Sequence, residues 1–145
     1  MDDVLSRALA LWTESLPDGD AALELFRQVY ADPLVVNGVE TPLTVLVERS
    51  RMLQTALAGT TRELVARVDG PHAIAFAFRI AGEHAGPLVT PIGDVAATGR
   101  RVEALAMDIF ELADGLVTGV WAVADYLGLL VQTGAVTGLG VHAQD

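Results

Sequence analysis

The chain has 145 residues, with 19 Asp and Glu against nine Arg, no Lys, a formal net charge of −10 and no cysteine. That length suits one domain able to bury roughly two-thirds of the surface its unfolded chain would expose. The charge disfavours nucleic acid as a partner, and the missing Cys excludes disulfides, thiol nucleophiles and Cys-ligated metals.

Apolar residues make up 52% of the chain, yet Arg, Asp, Glu or Gly interrupts every run before the ~20 residues that a membrane-spanning helix needs. The start, Met1-Asp2-Asp3, is acidic where a secretory leader would be basic. The expectation is a cytoplasmic protein with no membrane partner.

Val4, Leu5, Ala8, Leu9 and Trp12 recur at helical spacing and predict a first helix, closed by Pro17-Asp18-Gly19. Asp20 is placed to cap a second helix, whose stripe Ala22, Leu25, Phe26 and Val29 ends before Asp32-Pro33. Val35 and Val36 before Asn37-Gly38 read as a short strand and turn. Thr41-Pro42 then reads as an N-cap followed by proline at the first helical position. The third helix extends to about Leu57, buries Leu43, Leu46, Val47, Leu53 and Leu57, and stops at Gly59.

From Thr60 onward the periodicity changes from 3.6 to 2, which predicts a sheet of four strands. Residues 62–68 form the first. In the second, His72, Ile74, Phe76, Phe78 and Ile80 share one face, and Ala73, Ala75, Ala77 and Ala81 the other. Residues 82–99 hold most of the Gly and Pro of this half and read as an irregular connection. Residues 101–112 and 116–124 flank Asp114-Gly115, a strong hairpin signal.

Counting outward from a two-residue turn sets Asp108 opposite Trp121, Ala106 opposite Val123 and Ala104 opposite Asp125, all on one face. The two carboxylates then share a wall about 13 Å apart. Leu105, Met107, Ile109, Val120 and Ala122 make the other face apolar too, so this sheet needs cover on both sides. Helices supply one cover, and loops or a homodimer through the sheet face supply the other. Residues 126–130 read as a closing helical turn, and residues 136–145 as a loosely held tail after a domain of residues 1–135.

The run Gly99-Arg100-Arg101, Asp108-Ile109-Phe110-Glu111, Asp114-Gly115, Trp121, Asp125, Leu129-Leu130 and Gln132-Thr133-Gly134 resembles the C-terminal signature of SnoaL-like polyketide cyclases, within the nuclear transport factor 2-like superfamily. Gly82, His84 and Gly86 are similar to a Gly, His, Gly segment of that family. The resemblance spans roughly residues 3–135. It implies a cone-shaped α+β fold in which three N-terminal helices pack on a curved antiparallel sheet enclosing one pocket.

It also implies a cofactor-free cyclase that closes a ring by intramolecular aldol chemistry on a small hydrophobic molecule. Asp125 matches the family's acid/base aspartate. Thr133 stands where the family usually has Leu, and Glu111 stands nearest the place where active members carry a His, which leaves the second catalytic role unassigned.

Desolvation beside Trp121 and Val123 would raise the pKa of Asp125 toward neutrality, and an Asp there equally suits a helix N-cap. Asp108 lies mid-strand, where Asp is depleted, so it is either a polar pocket wall or structural glue. His84 is a candidate second acid/base at the pocket mouth, with Trp121, Val123, Ala106, Phe110, Phe76 and Phe78 as substrate-binding wall. His72 is expected near the surface, and His142 in the tail. No metal-type spacing of His and carboxylates is present, and Gly138-Leu139-Gly140 lacks the context of a dinucleotide site.

Two rival readings remain. Limonene-epoxide-type hydrolases of the same fold resemble this chain at Asp108, but Ala106 and Val123 replace their Arg and second Asp. A non-catalytic binding or assembly module would use the same pocket or the bare sheet face.

Overall fold

Asp3 opens the first helix by accepting the backbone N–H of Ser6 at 2.9 Å, and α1 then runs Val4–Thr13 in the computed structural model, which describes residues 3–138. The same carboxylate pairs with Arg67, tying the start of α1 to the sheet. The second helix, α2, is Asp20–Arg27. Gly19, at φ 63°, takes the cap position expected for Asp20, and Asp20 instead puts its charge in the first turn, where the helix dipole favours it. The helix ends short of Val29.

The chain next forms β1 (Tyr30–Val36) and β2 (Val39–Thr41), joined at Asn37-Gly38, both with positive φ as a primed turn requires. Helix α3 (Leu43–Ala56) follows Pro42. Thr41 does not cap it, because its hydroxyl donates to the carbonyl of Val39 at 2.9 Å. Asp32 caps it from β1, its Oδ1 accepting the Leu43 N–H at 3.0 Å. Ser50, buried on α3, donates to the Leu11 carbonyl at 2.7 Å and fastens α3 to α1.

Strand β3 (Leu57–Asp69) begins directly after α3, so Gly59 lies inside a strand and marks an irregular step between Ala58 and Thr61. It is not a helix stop. Strand β4 is Ala73–His84. The connection predicted to be irregular contains a small hairpin, β5 (Leu88–Thr90) with β6 (Gly93–Val95). Then come β7 (Arg101–Ala113), β8 (Leu116–Ala124) and α4 (Tyr126–Gln132).

The main sheet has six strands in the order β2-β1-β8-β7-β4-β3, antiparallel except where β1 lies parallel to β8. Besides the four strands expected after Thr60, the segment between α2 and α3 supplies β1, where a short strand was expected, and β2. The result is the α+β cone: α1, α2 and α3 cover one face of a curved sheet. Their contact forms the core, in which Leu5, Leu11, Phe26, Leu43 and Leu46 meet Ile74, Phe76, Phe78, Phe110, Val117 and Val120.

A smaller core of Ala56, Leu57, Leu88, Val102 and Leu129 closes the end near α4. Among the described residues no helix is long and apolar enough to cross a membrane. The tail from residue 139 onward, with His142, lies outside the described residues.

Because Asp32 reaches α3 across the fold, its loss removes a cap that no neighbouring residue replaces. Asp32→Ala is expected to cost about 1 kcal/mol in urea denaturation, with Asp32→Asn recovering most of it.

Candidate active site

The β7–β8 hairpin decides which side chains face the helices. Asp114 and Gly115 form the turn with φ 52° and 77°, and Ala113 pairs with Leu116 and Leu112 with Val117, as counting from the turn predicts. The register then shifts. Glu111 pairs with Gly119, which leaves Thr118 as an extra residue on β8.

Gly119 lies at this bulge. A Cβ there would sit 2.4 Å from Glu111 Oε2, because the Glu111 side chain lies across the bare glycine and accepts the Trp121 indole N–H at 3.3 Å. A one-residue slip exchanges the two faces of a strand. Beyond the bulge Asp108 therefore pairs with Ala122, Ile109 with Trp121 and Met107 with Val123.

Two expected wall residues are thereby corrected. Trp121 and Val123 lie on the convex face, 49% and 70% exposed, beside Met107 and Ile109. Val120 and Ala122 take the concave places instead, packed against the helix-side core.

Asp108 is where the concave face becomes polar. It projects between Ala106 and Phe110 on β7, with Phe76 across on β4 and Ala122 across on β8. These neighbours offer no hydrogen bond, and burial among them pushes the Asp108 carboxyl up to about 7. The side chain is only partly covered, as are Ala104, Ala106, Ala122 and Ile80 on the same face. The carboxyl thus sits among apolar side chains, three of them alanines, that leave it partly exposed.

The other predicted site residues are placed differently. Asp125 is exposed and is the N-cap of α4, its Oδ1 accepting the Gly128 N–H at 2.8 Å. A Cβ on Gly128 would lie 2.3 Å from Asp125 Oδ2, so the glycine is what lets the cap close. Asp125 is not in a half-dry position: it follows Trp121 and Val123 past the bulge, and all three are exposed.

His84 is fully buried, not at a pocket mouth. Its Nδ1 is 2.9 Å from the Thr98 hydroxyl, and its Nε2 has no partner among the described residues. Phe76, Phe78 and Phe110 form the aromatic floor of the core, with Phe76 edge-on to Phe110 at 4.8 Å. His72 is exposed, as expected. Among the described residues no three His, Asp or Glu side chains converge as a metal site would need.

One residue that the sequence reading did not single out lies near Asp108. Tyr30, 2% exposed, accepts the Trp12 indole N–H on its hydroxyl at 3.1 Å. Burial holds this phenol well above its ordinary value, and the nearby Asp108 charge adds to the effect. The signal available was general: a buried Tyr or Trp needs a partner for its polar end.

The C-terminal motif has a structural explanation. Gln132 bonds to both backbone groups of Glu103, accepting N–H at 2.7 Å and donating to the carbonyl at 2.8 Å, as a neighbouring strand would. Thr133 is buried with its hydroxyl on the Leu129 carbonyl, and Gly134 turns the chain at φ 78°. Gln132, Thr133 and Gly134 hold α4 against β7.

Residues 3–133 match the family of SnoaL-like polyketide cyclases, and the chain belongs to that family. No curated protein sequence matches it. Its fold is similar to that of TsrD from Streptomyces laurentii, with a TM-score of 0.76, 23% identity, and 92% of this chain and 93% of that one covered. It is also similar to a SnoaL-like polyketide cyclase from Agrobacterium tumefaciens (TM-score 0.68, 15% identity, 91% and 98% covered). IdmH from Streptomyces antibioticus shares the fold as well (TM-score 0.67, 20% identity, 92% and 99% covered). At these identities the likeness concerns the fold.

The raised Asp108 pKa has a thermodynamic consequence. Between about pH 4 and pH 7 the folded chain keeps a proton on Asp108 that the unfolded chain releases, so this group's stabilisation is complete at low pH and lost as pH rises through about 7. Asp108→Asn should therefore stabilise the protein at about pH 8 by roughly 1–4 kcal/mol. The gain should shrink toward about pH 5, as chemical denaturation at both values would show.

Proposed function

We propose that this chain is a SnoaL-like cyclase or isomerase in which Asp108, in place of Asp125, moves a proton beside a substrate carbonyl. The observation that carries this reading is a carboxyl without a charged partner on the concave face, opposite Phe76 and Ala122, where burial raises its pKa. A base so desolvated takes a proton from a carbon acid and returns it at working pH.

The substrate is a small hydrophobic β-keto compound. Asp108 removes the proton between its carbonyls, the enol carbon attacks a second carbonyl of the same molecule, and the new alkoxide takes the proton back. No cofactor enters this sequence, and the setting is cytoplasmic. An epoxide hydrolase of the limonene type would need charged partners beside Asp108, whereas Ala106 and Ala122 flank it. A non-catalytic binding module is the second reading, favoured by the burial of Phe76 and Phe78, which fill the core floor instead of lining open space.

We also propose that a second copy of the chain covers the convex face. Leu105, Met107, Ile109, Trp121 and Val123 are all exposed there, on adjacent strands. An antiparallel sheet with an apolar outer face is stable in water when something covers it.

Hydrogen–deuterium exchange of an aryl β-keto ester, followed by proton NMR in heavy water, tests the chemistry. Wild type should accelerate exchange with a rate that rises through about pH 7 and then levels. Asp108→Asn should lose about 10²–10⁴-fold. Asp125→Asn, which keeps a good cap, should stay within about twofold of wild type. The opposite ranking of the two variants would return the role to Asp125, and ester binding without exchange by wild type would favour the binding module.

Sedimentation equilibrium tests the assembly. Wild type should run at twice the 15.3 kDa chain mass, and Met107→Asp with Val123→Asp should run at once that mass.

A further inference from the structure

Strand register arranges the convex face in rows that run across β8, β7 and β4. Trp121, Ile109 and Ala75 form one row, and Val123, Met107 and Ala77 the next. In a third, the Asp125 N–H donates to the Leu105 carbonyl at 3.0 Å, and Leu105 pairs with Arg79. The two ends of every row differ in kind. A large side chain on β8 is level with an alanine on β4 in the first two rows, and an acid is level with a base in the third.

The relief of the face follows from those rows. Trp121 and Val123 stand out from β8, whereas Ala75 and Ala77 lie sunk on β4 between Val68 and Ala66 of β3 and Ile109 and Met107 of β7. A ridge and a groove thus flank β7 on one surface. The ridge is already fixed in the single chain: the Trp121 indole N–H is held by Glu111, and its ring edge lies beside Gly38, where an added Cβ would come within 3.7 Å. An anchor held in this way loses little freedom when a partner binds.

A half-turn about an axis along β7, lying between two stacked sheets, keeps each row at its level and exchanges the row's ends. Ridge then enters groove, acid meets base, and Ile109 and Met107 meet their own copies on the axis. Such self-complementarity is what a two-fold interface requires. A half-turn about an axis across the strands would instead keep each strand opposite itself and set ridge on ridge. Two carboxylates of β7 stand near the ends of the favoured axis, and both lean away from it. Glu111 folds toward β8 across Gly119, and Glu103 reaches toward β4, 3.5 Å from Arg79 Nε. Arg79 also meets Glu63 at 3.4 Å through Nη1, so neither contact uses its Nη2.

We propose that two copies pack by their convex faces about a two-fold axis along β7, with Trp121 of each seated on Ala75 of the other and Asp125 of each paired with Arg79 of the other. The proposal rests on the reading that a second copy covers this face and adds how the copies meet. Asp108 lies between Met107 and Ile109, so the strand that carries it becomes the centre of the assembly while both concave faces point outward.

The test joins a filled groove to a missing ridge. Ala75→Trp puts an indole where the second copy's Trp121 must go, and Trp121→Ala leaves the groove empty. Each variant alone should dimerise about 10-fold or more weakly than wild type. In an equimolar mixture every such contact again joins one Trp to one Ala. Native mass spectrometry, which separates the chains by mass, should show the mixed dimer prevailing over both homodimers. Circular dichroism establishes that each variant is folded; if Ala75→Trp is not, Ala77→Phe with Val123→Ala repeats the comparison one row along. Asp125→Asn with Arg79→Gln should weaken the dimer no more than either change alone, since both remove one pair.

A mixed dimer no more abundant than chance pairing gives overturns the axis and leaves the second copy in place, as does an Ala75→Trp chain that dimerises like wild type. Additive losses from Asp125→Asn and Arg79→Gln overturn the ion pair. A folded wild type that stays monomeric removes the second copy itself, and the proposal with it.

Discussion

A single unpaired residue, Thr118, decides which side chains of β8 look toward the helices. Alternation along a strand is strict, so one extra residue in one partner turns every later side chain to the opposite face. At the bulge the Glu111 carboxylate folds over the bare backbone of Gly119 to accept the Trp121 indole N–H. The slip sends Trp121 and Val123 outward and brings Val120 and Ala122 in. The concave wall is therefore small and apolar around Asp108, and the convex wall large and apolar. Both the proposed chemistry and the proposed assembly follow from that exchange.

Asp108 is a local conflict that the fold tolerates. An Asp inside a strand, facing aromatic rings with no hydrogen-bond donor to satisfy it, lowers stability whenever it ionises. The packing of three helices against the sheet offsets the cost, since the strands on either side of β7 are paired along nearly their whole length. Sites of chemistry commonly break a rule that the rest of the chain keeps. Here the broken rule is the pairing of buried charge: burial with no donor beside it pushes the Asp108 carboxyl above the usual carboxylate range.

The residues that mark the family do a different kind of work. Asp125 and Gly128 close the start of α4, Gln132 substitutes for a missing strand beside Glu103, and His84 with Thr98 anchors the return from the small hairpin into β7. Gly86 belongs to the same group, since a Cβ there would lie 2.4 Å from the Thr55 carbonyl oxygen at the end of α3. In this chain these residues serve close backbone approach and fixed caps where the cone closes.

Local chemistry was enough to read most of the architecture. Helical stripes from Val4 to Leu57, the change of period after Thr60 and the Asp114-Gly115 turn each express forces acting over a few residues, and together with the family motif they determined the α+β cone. Three features required the folded chain. Asp32 caps a helix eleven residues away because β1 and β2 double back, Tyr30 meets Trp12 because α1 and β1 converge on one core, and Asp108 and Trp121 part company across the bulge. Each depends on contacts between segments distant in sequence, and on one residue of slip that counting from a turn cannot register. Sequence periodicity reports which residues alternate; only pairing between strands settles the side on which each alternation begins.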